Sequence, residues 1–170
     1  AYVREASTAQ PGEFLQAEPI TQTPGVVESD PSVAITSSGV LYVSFSRGGD
    51  IFLAHNKRGS FGGPELLFEG STGPPSIAIS PGGAMAVAFE SEGDIYVGLG
   101  TPFLIPGFRR VAETPERDWA PQVAVDSFAN VHLAYLSEDG LYYTTSAGPP
   151  QARFTAEPQS GEVPLEVRFR

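Results

Sequence analysis

The chain has no cysteine, a single lysine and only two histidines among its 170 residues. The absence of cysteine excludes disulfides, cysteine nucleophiles and thiolate metal sites, and two histidines without cysteine argue against a catalytic zinc site. No run of about 18 consecutive apolar residues occurs, so no segment has the length of a membrane-spanning helix. No signal peptide is visible at Ala1, although a processed chain would have lost it.

What the chain does contain is acid, glycine and proline. Its formal net charge is −10, which makes nucleic acid and anionic membranes poor partners because both would repel the average surface. Glycine and proline, 19 and 16 residues, make up about a fifth of the chain, and 41% of the residues are hydrophobic. Such a composition is typical of many short strands joined by turns around a buried core. It predicts an all-β fold.

An internal repeat is the strongest signal in the sequence. Residues 30–35, 74–79 and 120–125 superimpose, with anchor prolines 31, 75 and 121 spaced by 44 and 46 residues. The same offsets carry into a turn at Gly39, Gly83 and Ala129, a second strand (41–45, 85–89 and 131–135) and a third (51–53, 95–97 and 141–143). A more variable fourth strand is expected at 65–68 and 108–112, with an N-terminal counterpart near 18–22. Four strands every 40 to 50 residues are typical of a β-propeller blade.

The second strand of each repeat alternates large and small side chains. In the second repeat Met85, Val87 and Phe89 face one side, and Ala86 and Ala88 face the other. A sheet of this kind can stack on a copy of itself, since bulk from one fills space left by the next. A β-sandwich is the alternative, but it does not require a repeat of this period.

Three blades do not close a ring, because propellers have about four to eight. We therefore expect residues 1–150 to be a three-blade segment, with repeats starting near 30, 74 and 120. Either missing sequence or oligomerisation would complete the ring, and two chains would give six blades. The strand near 18–22 could complete the third sheet, in the same chain or in a neighbour.

The pattern changes after Pro150. Residues 151–170 read as a strand, a Pro/Ser/Gly turn and an alternating strand in which Leu165, Val167 and Phe169 share one side. The Phe, the Glu-Pro, the Ser-Gly turn and the Pro-Leu-x-Val-x-Phe run at 164–169 resemble the opening of a PKD domain, an immunoglobulin-like module of microbial surface proteins. The segment would be a truncated PKD-like β-hairpin, and such a pair is marginal alone.

The blades also resemble a known family. Pro-Gln-Val-Ala-Val-Asp at 121–126, followed by Val-His-Leu-Ala-Tyr at 131–135, is similar to the sialidase-like propeller repeats of secreted prokaryotic proteins. With the PKD-like tail, this resemblance implies an extracellular or cell-surface protein with a structural or adhesion role.

Propeller ligands usually sit on the loops that lead into the first strand and join the second to the third. The candidate ligand-binding residues on those loops are Trp119, Asp118, Arg117, Arg47, Glu92 and Glu138. Trp119 has no aromatic counterpart in the other repeats, and a tryptophan beside charged groups could stack on a sugar ring. The competing interpretation is that Trp119 packs between blades.

Catalysis has weaker support. The Asp-box turn of sialidases (Ser-x-Asp-x-Gly-x-Thr-Trp) is absent from all three repeats, and no pair of acids is singled out for glycosidic cleavage. Glu90 and Glu92 flank a turn, where solvated loop charge is the expected role. The acidic turns Gly48-Gly49-Asp50 and Glu92-Gly93-Asp94 offer a weak Ca²⁺ site at best, because calcium needs six to eight oxygen ligands.

We therefore expect a non-catalytic structural or adhesion protein without a cofactor, a filament or surface-layer subunit for example. It would assemble through blade–blade contacts and strand donation, as a homo-oligomer or with further domains of a longer chain. A carbohydrate-binding, lectin-like propeller is the alternative, and a fragment of a sialidase-like glycoside hydrolase is the third.

Overall fold

The computed structural model describes residues 16–57, 59–70, 73–112 and 114–146, together with the backbone of 156–157 and 168–169. Its secondary structure there is all β, as expected. The thirteen strands are β1 (Glu28–Ile35), β2 (Leu41–Arg47), β3 (Asp50–His55), β4 (Glu65–Phe68), β5 (Ser76–Ile79), β6 (Met85–Ser91), β7 (Asp94–Gly100), β8 (Phe108–Arg110), β9 (Asp118–Val125), β10 (Val131–Ser137), β11 (Gly140–Thr145), β12 (Ala156–Glu157) and β13 (Arg168–Phe169).

The strands form three antiparallel sheets that follow one another along the chain. Sheet 1 has the order β1-β2-β3-β4, sheet 2 the order β5-β6-β7-β8, and sheet 3 the order β9-β10-β11. Strands β12 and β13 pair separately, which agrees with two strands in the tail. Most of residues 151–170 lie outside the described part of the chain.

The turn between the first two strands is the same in all three sheets. Its first residue accepts a hydrogen bond through its side chain from the backbone N–H four residues later. These bonds are Thr36 to Val40 at 3.0 Å, Ser80 to Ala84 at 3.0 Å and Asp126 to Asn130 at 2.8 Å. The residue before the N–H donor has a positive φ in each case, at Gly39, Gly83 and Ala129. The repeat in the sequence is therefore a repeat of conformation.

Each sheet has two faces: the leading face is the one on the side of the preceding sheet in the chain, and the trailing face is the one on the side of the next sheet. The leading face carries the larger residues of the middle strand: Val43 and Phe45, then Val87 and Phe89, then Leu133 and Tyr135. The trailing face carries the residues between them and their partners on the third strand, such as Ala88 and its partner Val97.

The trailing face of each sheet packs on the leading face of the next. Between sheets 1 and 2, one apolar cluster joins Tyr42, Ile51, Leu53, Ile77, Met85, Val87 and Phe89. Between sheets 2 and 3, a second joins Ala86, Ala88, Ile95, Val97, Ala112, Val131, Leu133 and Tyr135. All of these side chains are buried. The small residues of β6 thus receive the large residues of β10, as close packing requires.

A hydrogen bond from a backbone N–H to a serine hydroxyl recurs between consecutive sheets. The hydroxyl of Ser32 on sheet 1 accepts the N–H of Ile77 on sheet 2 at 3.1 Å. One repeat later, the hydroxyl of Ser76 accepts the N–H of Val123 on sheet 3, also at 3.1 Å. Because both bonds use equivalent positions, sheet 3 is placed on sheet 2 by the same contact that places sheet 2 on sheet 1.

One expectation about a strand was wrong. No strand forms at 18–22. Instead, Ile20 lies beside Val43 and Phe45 on the leading face of sheet 1, because Thr21 and Thr23 are hydrogen-bonded to Glu28. Sheet 3 has three strands within the described residues, in keeping with a repeat order in which no fourth strand of its own follows β11.

No helix long and apolar enough to cross a membrane occurs in the described part of the chain.

The recurring serine gives a test of the stacking. Ser76 is buried, so Ser76→Ala leaves the N–H of Val123 without its acceptor and should lower the free energy of unfolding by about 1–3 kcal/mol. Urea denaturation measures the change. The exposed Ser60 provides the control, since Ser60→Ala should shift stability by less than about 0.5 kcal/mol. Equal effects of the two variants would contradict the role of the inter-sheet bond.

Candidate functional site

The loops expected to bind ligands meet at one end of the sheets. This end holds the turns β2–β3, β6–β7 and β10–β11 and the starts of β1 and β9. In the first two turns both central residues have positive φ, at Gly48 and Gly49 and at Glu92 and Gly93. Such a backbone is the two-residue hairpin turn that matches strand twist and favours glycine. The acidic turns are therefore explained by hairpin geometry.

On sheet 1 this end is closed by an ion pair. Glu28 accepts a bond from Arg47 Nε at 3.0 Å, and the Arg47 guanidinium lies over the Phe52 ring at 4.6 Å. Glu28 also accepts hydrogen bonds from the hydroxyls of Thr21 and Thr23. The bond from Thr21 contributes most to holding the pKa of Glu28 below its ordinary value, and Thr23 and Arg47 add to it against the opposing effect of burial. Glu28 therefore ties residues 21–23 to the end of sheet 1.

Sheets 2 and 3 are joined by a second ion pair. Arg117 donates from Nε to Glu90 Oε1 at 2.9 Å and from Nη2 to Glu90 Oε2 at 3.1 Å. The side chain of Glu90 is almost fully buried, whereas that of Arg117 is mostly exposed. Gly73 allows this approach, because a Cβ there would lie 2.7 Å from Glu90 Cβ. The solvated role expected for Glu90 is thus wrong.

Asp118 lies directly beside this pair and is fully buried. Its backbone N–H donates to the carbonyl of Gly93 at 2.7 Å, and Thr114 donates to its Oδ2 at 2.9 Å. Within the described part of the chain, its Oδ1 has no hydrogen-bond partner, nor does the hydroxyl of Ser137, the residue paired with Asp118 across the sheet. Burial, and then the charge of Asp118, raises the pKa of Tyr135. Asp118 is therefore a buried residue that holds the loop before sheet 3 in place through Thr114 and Gly93.

An open polar cleft of about 610 Å³ lies between the β6–β7 turn and the loop that enters sheet 3. Its charged lining residues are Glu92, Asp94, Arg110, Glu116 and Arg117. Arg110 is paired with Asp94 at 3.0 Å, and Arg117 is paired with Glu90, so Glu92 and Glu116 carry its remaining charge. Such a lining can bind hydroxyl or amide groups. Among the described residues no group of three or more His, Asp and Glu side chains is arranged to hold a metal ion.

The six predicted site residues do not form one site. Arg117 and Glu92 line the cleft, and Asp118 lies behind it. Trp119 is half-buried and pairs with Leu136, which places it on the trailing face of sheet 3. Arg47 belongs to sheet 1, and Glu138 is exposed on the β10–β11 turn. Ligand binding by these residues stays a prediction.

The sequence did not identify Thr114 and Arg110, nor the role of Glu90 as partner of Arg117. One signal for Glu90 was available. It continues the alternation of Ala86 and Ala88 along β6, so it belongs to the trailing face that sheet 3 covers. Thr114 and Arg110 lie at or beyond the end of the variable fourth strand, where the repeat offers no counterpart.

No protein-family model matches this chain, and no curated protein matches it. The likeness to sialidase-like repeats and to a PKD domain therefore rests on the residues quoted for it.

The Glu90–Arg117 pair predicts an effect on stability. Arg117→Ala leaves a buried carboxylate without its guanidinium, and we expect a loss of roughly 1.5–3 kcal/mol, the range for hydrogen bonds to charged groups. Chemical denaturation at neutral pH measures this loss. Arg109, exposed on β8, is the matched control, and Arg109→Ala should change stability by less than about 0.5 kcal/mol. An equally small effect of Arg117→Ala would show that the pair does not join the sheets.

Glu28 predicts a dependence on pH. Because its pKa is lowered in the folded protein, its ionised form stabilises the fold above the ordinary value of 4.5, and this contribution is lost as the pH falls below 4.5. Glu28→Gln should therefore destabilise the protein at pH 7, and the difference from the parent should shrink at pH 3. Thr21→Val should also destabilise the parent at pH 7, because it removes a hydrogen bond to the Glu28 carboxylate. The same change should have little effect on the pH dependence of the Glu28→Gln variant. A difference independent of pH would contradict the assignment.

Proposed function

We propose that this chain is a non-catalytic structural module of an extracellular or cell-surface protein. Its three sheets act as β-propeller blades, and it assembles by stacking its outer faces on further sheets of the same kind and by accepting a strand. The observation that carries the proposal is the open trailing face of sheet 3.

Equivalent positions make that observation quantitative. Ile51 and Ile95, on the trailing faces of sheets 1 and 2, are both 0% exposed, whereas their counterpart Leu141 on sheet 3 is 74% exposed. Leu53 and Val97 are buried in the same way, and their counterpart Tyr143 is 63% exposed. Sheets 1 and 2 are each followed by another sheet in the described chain, whereas sheet 3 is not. A contiguous apolar face of this kind is typical of an interaction surface.

The outer edge of sheet 3 supports the strand-accepting part of the proposal. In sheets 1 and 2 the third strand pairs with a fourth, as in the pairs Leu53–Glu65 and Val97–Arg109. The corresponding strand β11 has no such neighbour among the described residues. A strand edge beside which no described strand lies is suited to pairing with an added strand.

The extracellular placement rests on the two resemblances, to secreted propeller repeats at 121–135 and to a PKD opening in the tail. The lectin-like alternative has one supporting feature, the polar cleft at Glu92 and Arg117. The lectin-like alternative lacks an aromatic ring beside the cleft on which a sugar could stack. Trp119 lies on the trailing face with Leu136, on the opposite side of the sheet from Asp118. A glycoside hydrolase fragment has less support, since Glu90 is engaged by Arg117.

A charged residue in the open face tests the proposal. Leu141→Asp should abolish self-association because a carboxylate would be desolvated in the interface, and it should leave the free energy of unfolding of the monomer within about 0.5 kcal/mol of the parent. Sedimentation equilibrium at high salt, which screens the like charge of the copies, measures association. The control is Phe128→Asp, a change at an equally exposed apolar residue on the β9–β10 turn, at the other end of the sheet. A parent protein that stays monomeric at every concentration would refute the proposal.

A further inference from the structure

The two internal interfaces specify what should cover the open face. We infer that the trailing face of sheet 3 binds the leading face of sheet 1 of a second copy of this chain, head to tail. The inference rests on the proposed function and adds the partner and its register. It applies to the contact between copies the packing seen inside the chain, where the trailing face of one sheet covers the leading face of the next.

The recurring hydrogen bond fixes the register. The acceptor positions on the trailing faces are Ser32, Ser76 and, one repeat later, Gln122. The first two accept an N–H from the next sheet, whereas Gln122 is exposed. The donor positions are Ile77, Val123 and, one repeat earlier, Val33 on sheet 1. Gln122 of one copy and the N–H of Val33 in the other therefore occupy the two positions of the same contact.

The leading face of sheet 1 is open along its first strand, β1, while Val43 and Phe45 on its middle strand are already buried. Ile77 on sheet 2 is 5% exposed, while its counterpart Val33 is 64% exposed. Val123 and Val125 on sheet 3 pack against the core, while Ile35, the counterpart of Val125, is exposed. Sheet 1 thus has uncovered apolar residues at the positions that contact a preceding sheet.

A third pair of positions matches in chemistry. Glu90 on the trailing face of sheet 2 binds Arg117, which precedes sheet 3. The equivalent positions in the head-to-tail contact are Leu136 on sheet 3 and Val27 before sheet 1. Both are apolar and exposed, Val27 by 81% and Leu136 by 37%. An acid meets a base inside the chain, and an apolar residue would meet an apolar residue between copies.

The N-terminal segment fits the open strand edge. Residues Val111 and Ala112, which follow β8, pack with the leading face of sheet 3 while β8 itself pairs with β7. Ile20 lies on the leading face of sheet 1 in the same manner, held there through Thr21 and Glu28. A second copy docked head to tail would bring its segment 16–22 alongside β11, in the place that β4 and β8 take in sheets 1 and 2.

Such a contact is heterologous, so it must either close into a ring or grow into a filament. Two copies contribute six sheets, a number within the range of closed propellers. We therefore expect a closed dimer of twice the 18.0 kDa chain mass.

The experiment moves the internal ion pair to the interface between copies. Leu136→Glu alone and Val27→Arg alone should each weaken dimerisation at least about tenfold, because each buries one charge without a partner, a factor that corresponds to 1.4 kcal/mol. The double variant L136E/V27R should restore the parent affinity to within about that factor, since both interfaces of the dimer then contain a Glu–Arg pair. The matched control L136E/V27E should not be restored.

Sedimentation equilibrium and native mass spectrometry give the dissociation constant and the mass. Restoration in the double variant, and not in the like-charge control, supports the head-to-tail register. If Leu136→Glu dissociates the protein while Val27→Arg has no effect, sheet 3 binds another sheet 3, and the inference is wrong although the proposed function survives. If the parent never associates, the proposed function itself is wrong. Both changed residues are exposed, so folding of the variants is checked by their unchanged unfolding transitions.

Discussion

The structure depends on one contact, the packing of large side chains from one sheet into the space left by small side chains on the sheet before it. Phe89 and Val87 meet sheet 1, and Tyr135 and Leu133 meet sheet 2. A three- or four-stranded antiparallel sheet alone has two faces to cover and little core of its own, so each sheet is stable only in contact with its neighbours. The serine-to-backbone bonds add register to a contact that is otherwise apolar and nondirectional.

That constraint also explains why the arginine–carboxylate ion pairs lie at one end of the sheets. The sheets are apolar along their length, so ion pairs such as Glu28–Arg47 and Glu90–Arg117 lie where strands end and water is near. Each pair holds a chain segment on a sheet: the first holds residues 21–23 on sheet 1, and the second holds the loop between β8 and β9 on sheet 2. The cleft at Glu92 is the space that this fastening leaves open.

Much of the fold was predictable because the repeat is written in residue size and turn chemistry. The spacing of Pro31, Pro75 and Pro121, and the positions of Gly39 and Gly83, fixed the strands β1–β3, β5–β7 and β9–β11 closely, and β4 was found at the predicted residues. Alternation along β6 also predicted which faces would meet. The segment near 18–22 was not predictable, because its conformation depends on Glu28, Thr21 and Thr23 rather than on local strand propensity.

The candidate site was less predictable than the fold. Loop membership correctly suggested one end of the sheets, but it could not tell which side a residue faces. A bulge that includes Ala120, with positive φ, shifts the register of β9, so that Trp119 pairs with Leu136 on the trailing face and Asp118 with Ser137 on the leading face. Distances across sheets, such as that from Arg117 to Glu90, depend on tertiary packing that a single sequence does not encode locally.

The exposed side chains of β11 have a consequence for the solubility of the single chain. Leu141, Tyr142 and Tyr143 form a β-rich apolar edge of the sort that seeds aggregation when nothing shields it. The protein has few lysines to guard that edge, and its protection must come from elsewhere. The excess of acidic groups, ten net negative charges on each molecule, opposes non-specific association of copies by long-range repulsion, which the specific contacts of the proposed assembly would have to overcome. Because salt screens this repulsion, ionic strength would set the balance between the solubility of the chain and its proposed assembly.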